Sequence, residues 1–449
     1  MADHSVFRLK NCDAANRCRH CAAAPRFGRC CRGPPRRGRI RKALTRMPVA
    51  FHRQDTPAGA AAVQPVLAEI AADYRLRLAD GGTEPPLRGL KLVRDHRLGA
   101  LRLARELGGA GYTAPEFFDY LVALAAADPD LAHILRIHYA LVEELQVTPR
   151  RPGSDRWIAV VAEGGLIGGA NAEQSQKSVG GNHRDTRLVT TPDGLRLRGR
   201  KFYSTGAQFS DYLRITAQDD DGAPTAVVIP VDRAGVEHLD DWDGIGQRQT
   251  GSGTTVFNDV AVADDEVFPL GSTIGVNRAR GALVQLYLHA VAAGILRSLT
   301  EDAAALVRGR RRTYTFASAD TPTADPQLLQ IVGEIDAVAY TAHALVRNAA
   351  AELAPALQAA RDTGIDPELE AAASIAAARV KVAIQEPALR AASRVFDAGG
   401  ASAVQASALL DRHWRNLRTL FSHNPTVYKA RVLGDVAVNG AALPDTSFF

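Results

Sequence analysis

Glycine is distributed so unevenly along this 449-residue chain that one folding pattern cannot serve the whole of it. Residues 153–271 hold 17 of the 38 glycines. Between them lie short apolar and β-branched runs, such as AVVIPV at Ala226–Val231 and TTVF at Thr254–Phe257. Turn clusters at Pro192-Asp193-Gly194 and at 219–224 separate the runs. Glycine disfavours helix, and short strand-like runs with regular turn punctuation predict a β-sandwich or barrel.

The flanks read as helix. Leu98, Leu101, Leu103, Ala104 and Leu107 fall at three- and four-residue spacing before Gly108, Gly109 and Gly111, which predicts a helix that those glycines stop. A second helical stretch is expected from Ala114 to about Gln146. From about Val276 to Val436 the chain is alanine-rich. Asp325-Pro326 and Asp366-Pro367 mark helix starts there, with Asp as N-cap and Pro at the first helical position, and Gly399-Gly400 marks a stop. Long helices with few polar interruptions predict a bundle buried on several sides, often by other subunits. The fold class is therefore α+β. A leader at 1–46 is followed by an N-terminal helical domain at 47–152, a central β domain at 153–272, and a C-terminal bundle and tail at 273–449.

Charge separates the leader from the rest. Residues 1–46 carry 13 of the 54 Lys and Arg against two acids, a formal +11. The body that follows is left with 41 basic and 47 acidic side chains, or −6. The overall +5 therefore argues for no nucleic-acid or membrane partner of the body. All five cysteines (Cys12, Cys18, Cys21, Cys30, Cys31) lie in the leader, so the body has neither a disulfide nor a catalytic thiol. Zinc held by Cys18-x2-Cys21 with neighbouring ligands, an Arg-rich transit peptide, and a disordered or non-native extension before Met47 are the three readings of this leader, the last favoured. No uninterrupted apolar run approaches the roughly 18 residues of a membrane span, and a cytoplasmic location is expected.

Within the β block, GRKFYSTGA at Gly199–Ala207 and DWDGIGQRQTGSG at Asp241–Gly253 are joined by a third segment, DRHWRNLRTLFSHNP at Asp411–Pro425, followed by Tyr428-Lys429. Together they resemble the acyl-CoA dehydrogenase fold, and within it the flavin-dependent monooxygenases related to dibenzothiophene monooxygenase and the sulfur-acquisition oxidoreductases. That resemblance implies reduced FMN delivered by a separate NAD(P)H-dependent flavin reductase, a C4a-hydroperoxyflavin formed with O2, a small organosulfur or related apolar substrate, and a homotetramer. The alternative is an FAD-dependent acyl-CoA dehydrogenase-like oxidoreductase. Phe421-Ser422-His423-Asn424-Pro425 carries no glutamate to serve as its base, and Arg310–Ser318 shows no Arg-x-x-Phe-Gly for the adenosine of FAD.

The resemblance also implies roles. His423 matches the catalytic histidine, suited to proton transfer by an ordinary pKa of about 6.5. Leu420 and Asn424 stand where the family carries a first histidine and an aspartate, so a two-histidine relay is not expected. Thr205 addresses the flavin N5 region with Tyr203 packing beside it. Asn171 and Trp242 are further flavin contacts, and Arg312 and Ser402 are candidates for its phosphate. His133 and His138 fall in the substrate pocket, where Ile137 replaces an aromatic. Their five-residue spacing fits no shared metal, and no metal is expected.

Overall fold

The computed structural model describes residues 60–174, 184–269, 278–444 and 449. All belong to the compact unit Arg53–Phe449, separate from a unit Met1–His52. The leader and its cysteines, with the three readings of them, lie outside the described residues.

Helices open the described chain: α1 (Ala60–Ala79), α2 (Leu87–Asp95), α3 (Ala114–Ala127), α4 (Pro129–Ile134), α5 (Arg136–Glu144) and α6 (Ser154–Ala162). Thr113 starts α3 with a reciprocal capping box to Glu116. Asp128 starts α4 by accepting from the Asp130 and Leu131 amides. The stretch 98–107 corrects an expectation, since it forms two 3-10 turns in place of a helix. After Gly108, at φ 88°, the chain folds back, and the amides of Ala110, Gly111 and Tyr112 bond the carbonyls of Ala100, Leu103 and Leu101. Leu98, Leu101 and Leu103 are buried all the same, so their spacing reported burial and not helix.

The described residues of the glycine-rich block form eight strands: β1 (Ile167–Ala170), β2 (Arg187–Thr191), β3 (Gly194–Lys201), β4 (Tyr212–Gln218), β5 (Pro224–Pro230), β6 (Val236–His238), β7 (Thr255–Val262) and β8 (Val267–Pro269). They make one mixed sheet in the order β6-β7-β3-β2-β4-β5-β8, with β1 parallel to β4. β2 meets β4 at a single pair, Arg187 with Gln218. The sheet thus has two halves, and Leu197, Phe257 and Val260 of one pack with Leu213, Ile215 and Val227 of the other in a shared core. Pro192-Asp193-Gly194 turns β2 into β3, and 219–224 turns β4 into β5, as expected.

The remaining helices are α7 (Arg278–Gly309), α8 (Pro326–Asp362), α9 (Pro367–Gly399), α10 (Asp411–Phe421) and α11 (Thr426–Asn439). Asp325 and Asp366 cap α8 and α9 through their side chains, as their Asp-Pro pairs imply. α7 is long and apolar enough to span a membrane by composition, with mean hydropathy 1.4, but 83% of that stretch is buried inside the protein. It is the central core helix. At Gly294 it crosses α3 so closely that a Cβ would lie 2.5 Å from Ala125 and 2.6 Å from the Val122 carbonyl.

Candidate active site

Three elements converge on Gln247, in the loop between β6 and β7. Its φ of 51° is left-handed, a conformation costing roughly 1–2 kcal/mol for a residue with a Cβ. Its partners hold it there. The Gln247 amide donates to Asn416 Oδ1 on α10 at 2.7 Å, its carbonyl accepts from Trp242 Nε1 at 3.0 Å and Thr250 Oγ1 at 2.8 Å, and its Oε1 meets His133 Nδ1 of α4 at 3.0 Å. The loop approaches α10 this closely because position 246 is glycine, where a Cβ would sit 2.1 Å from the Arg415 carbonyl oxygen. Because Oε1 only accepts, His133 carries its proton on Nδ1. Burial first, and then Arg136, lower the His133 pKa to about 3 against the opposing Gln247 bond, so the ring is neutral.

A hydroxyl relay continues from this node: Thr250 Oγ1 to Ser252 Oγ at 2.6 Å, then Ser252 Oγ to Thr205 Oγ1 at 2.8 Å. Thr205 lies just after β3, two residues past Tyr203, whose φ is 53°. The Tyr203 ring is 62% exposed and stands edge-on to Trp242, centroids 6.2 Å apart. Asn171 follows β1. Its Oδ1 is buried with no hydrogen-bond partner, as are Gln247 Nε2 and Ser204 Oγ. Each such orphan costs about 1–3 kcal/mol. A planar heteroaromatic with both donor and acceptor edges would satisfy both kinds, so these residues fit the flavin that the resemblance implies.

His423 lies in the turn after α10. Its Nε2 faces Arg136 Nη1 at 3.1 Å, and its Nδ1 faces Asn424 Nδ2 at 3.4 Å. Asn424 is oriented by donating to Gln285 at 2.7 Å and accepting from Lys381 Nζ at 2.9 Å. Lys381 also donates to the carbonyls of Phe421 at 3.1 Å and Asn424 at 2.7 Å, clamping the turn. His423 keeps an open edge to solvent. Burial, followed by Arg136, His133, Lys381 and His289, all basic, nonetheless holds its pKa well below the ordinary value. Because Arg136 can only donate, Nε2 accepts and the neutral ring carries its proton on Nδ1, while burial and the surrounding basic groups disfavour a second proton.

The remaining expected residues lie elsewhere. Both His138 nitrogens are used by backbone groups: Nε2 meets the Gly99 carbonyl at 3.0 Å, and the Ile167 amide donates to Nδ1 at 3.1 Å. His138 therefore anchors β1, and the structure does not bring it together with His423. Arg312 and Ser402 share one cleft of about 940 Å³, which also holds Arg75, Arg310, Arg311 and Arg412 and has no residue in common with the Gln247 node. Among the described residues no cluster of metal ligands occurs. Sequence reasoning missed Gln247, Ser252, Asn416, Arg136 and Lys381. The first three lie inside segments that carried the resemblance, whereas Arg136 and Lys381 carried no motif signal.

Comparison with known proteins gives three findings. Residues 286–427 match the family model described as "Acyl-CoA dehydrogenase, C-terminal domain". Dibenzothiophene monooxygenase of Mycolicibacterium goodii is 30% identical over 76% of this chain and 84% of its own, and the probable FMNH2-dependent monooxygenase SfnC of Pseudomonas putida is 29% identical over 82% and 91%. Among solved structures, TdsC of Paenibacillus sp. A11-2 in complex with FMN and indole superposes with a TM-score of 0.77 at 27% identity, covering 86% of this chain and all of that one.

Proposed function

We propose a function from the premise that this chain belongs to the dibenzothiophene monooxygenase family: it is an oxidoreductase that uses reduced FMN and O2 to oxygenate a small organosulfur compound. Its relatives in that family include a probable FMNH2-dependent monooxygenase, and a structural neighbour carries FMN. Reduced FMN, when bound, supplies the electrons that activate dioxygen. A separate NAD(P)H-dependent flavin reductase is its source.

The observations that carry this reading are a hydrogen-bond relay from Thr205 through Ser252, Thr250 and Gln247 to His133, and the Arg136–His423 pair that begins three residues later at the start of α5. Thr205 would hold the flavin near N5 and Tyr203 and Trp242 would line its ring, with Asn171 Oδ1 free to accept from a donor on it. Trp242, held by its own bond to Gln247, keeps bulk water off that face. His423, neutral and held at Nε2 by Arg136, is the residue that handles the proton during turnover. Arg312 and Ser402, in the arginine-lined cleft, address the phosphate. The dehydrogenase alternative lacks a base, because among the described residues no carboxylate hydrogen-bonds into this network.

The same reading places the enzyme in the cytoplasm as a homotetramer. Tyr314, Phe316 and Tyr340 are 70%, 84% and 76% exposed in the single chain and would be covered by other copies. Light scattering checks the tetramer. The function is tested by binding reduced FMN anaerobically, admitting isotopically labelled dioxygen with a panel of sulfides, sulfoxides and sulfones, and following label into product. Absence of labelled product, or reduction of tightly held FAD by an acyl-CoA, overturns it.

A further inference from the structure

Arg136 is a buried guanidinium that pairs with no carboxylate among the described residues. The residue is 8% exposed, and its hydrogen bonds are to the Val284 carbonyl at 3.0 Å through Nε and to His423 Nε2 at 3.1 Å through Nη1. Other buried arginines of this protein are paired: Arg102 with Glu143 at 2.6 Å and Arg214 with Glu144 at 3.0 Å. A buried charge is ordinarily matched by an opposite one, because desolvation without compensation is expensive.

The neighbours of Arg136 sharpen the imbalance. Val284, Gln285 and His289 bring one region of α7 toward the His423 turn, the latter two one helical turn apart. His289 is 3% exposed, and its Nδ1 is buried without a hydrogen-bond partner. Lys381, 2% exposed, is held by carbonyl oxygens of Phe421 and Asn424 and no carboxylate. Basic groups thus gather around the proposed catalytic histidine, and burial depresses each one: Arg136 to about 10, Lys381 to about 7, and His289 well below its ordinary value, so Arg136 is the one that keeps its full charge at neutral pH. A wholly apolar substrate would leave that charge uncompensated.

We propose that the substrate is an anion, an organosulfur compound bearing a sulfinate, sulfonate or carboxylate group that Arg136 binds beside His423. The inference rests on the monooxygenase reading and narrows its substrate class from small apolar compounds to small oxyanions. Guanidinium suits such a group because it presents parallel N–H donors to two oxygens. The anion supplies the charge missing from the pocket. It also sets the reacting sulfur at a fixed distance from the histidine.

Calorimetric titration of the full-length protein tests this, with methanesulfinate, methanesulfonate and 3-(methylthio)propanoate as anionic probes and dimethyl sulfone and dimethyl sulfide as neutral ones. At least one anionic probe is expected to bind, with the neutral compounds of like size weaker by roughly 10- to 100-fold, the range for a hydrogen bond to a charged group. The three anions distinguish sulfur-borne from carbon-borne charge. Arg136→Gln should abolish the preference, and Arg136→Lys should restore part of it, which separates recognition from a folding defect. Equal binding of neutral and anionic probes, or an unchanged preference in Arg136→Gln, overturns the proposal. If the anion preference follows Arg136 but no probe is oxygenated with reduced FMN, anion recognition stands and the monooxygenase reading fails. If neutral compounds are oxygenated and bind as well as anions, the reverse holds.

Discussion

Glu144→Gln should destabilise the fold by about 3 kcal/mol at pH 7 while leaving the shape of the side chain unchanged. Glu144 ends α5, and its carboxylate receives three arginines from three parts of the chain. Arg151 follows the helix and Arg214 lies on β4, both at 3.0 Å, and Arg280 lies on α7 at 3.4 Å. Burial alone would raise the Glu144 pKa, but Arg214, Arg280 and Arg151 outweigh it and lower the value from 4.5 to about 2. A difference of that size corresponds to about 3 kcal/mol, at the low end of the 3–5 kcal/mol typical of stranding a buried partner. Because the folded pKa is depressed, the contribution is fully present above pH 4.5 and lost as pH falls toward 2. Urea unfolding at fixed protein concentration provides the assay. Its reporter is Trp157, which is fully buried against Tyr212 and Phe268 near the same junction. The gap between parent and variant should stay constant from pH 6 to 8 and close below about pH 4. A gap under about 1 kcal/mol at pH 7, or one that persists unchanged at pH 3, would refute the reasoning.

Three other outcomes are expected. His423→Ala should keep its circular dichroism and melting temperature, since the side chain has an open edge, while oxygenation falls by roughly 100-fold or more; turnover at the parent rate removes the residue from proton transfer. Lys381→Met removes the donor to three buried acceptors, so it should lower the melting temperature as it unclamps the turn carrying His423. Its kcat should therefore drop at least about tenfold with little change in KM, and steady-state kinetics beside a melting curve read both. Burial and the Asp128 charge push the Asp130 pKa up to about 7, so its stabilising contribution is present at low pH and lost as pH rises through 7. Asp130→Asn should thus melt higher than the parent by a margin that grows between pH 4 and 7 and then levels, and a margin independent of pH would contradict the assignment.

Much of this was legible in the chain. The Asp-Pro caps, the glycine-rich strands and the turns at 192–194 and 219–224 are local signals, each set by backbone chemistry within a few residues. Residues 98–107 misled because the apolar spacing of a buried 3-10 turn mimics that of a helix, and the glycines that end it also fold it back. Tyr203, Thr205 and Trp242 were expected at the site from the motif, but the hydroxyl relay beside them was not, since Ser252 and Thr250 become partners only when β3 and the β7 approach are set side by side. Arg136 left no trace because its function depends on His423, 287 positions away in sequence. Lys381, one of seven lysines in the chain, carried no signal because nothing local in its alanine-rich helix marks it as buried. His133 and His138 look equivalent in HILRIHYAL, yet one faces Gln247 and the other is consumed by backbone groups.

The close seating of Gly246 against the Arg415 carbonyl bears on how this enzyme can be altered by engineering. Any side chain at 246 must push the Gln247 loop off α10 and break the bonds to Asn416 and His133 together, so libraries that vary this loop would lose the site before they changed its selectivity. Ile137 offers the opposite case. It is half-buried beside Gly169, whose missing Cβ would sit 2.4 Å from its Cγ2. None of the hydrogen bonds that hold Thr205, Gln247 or His423 runs through its side chain. Reducing its size leaves those bonds intact, whereas enlarging it presses on β1, so selectivity is better varied there by smaller side chains.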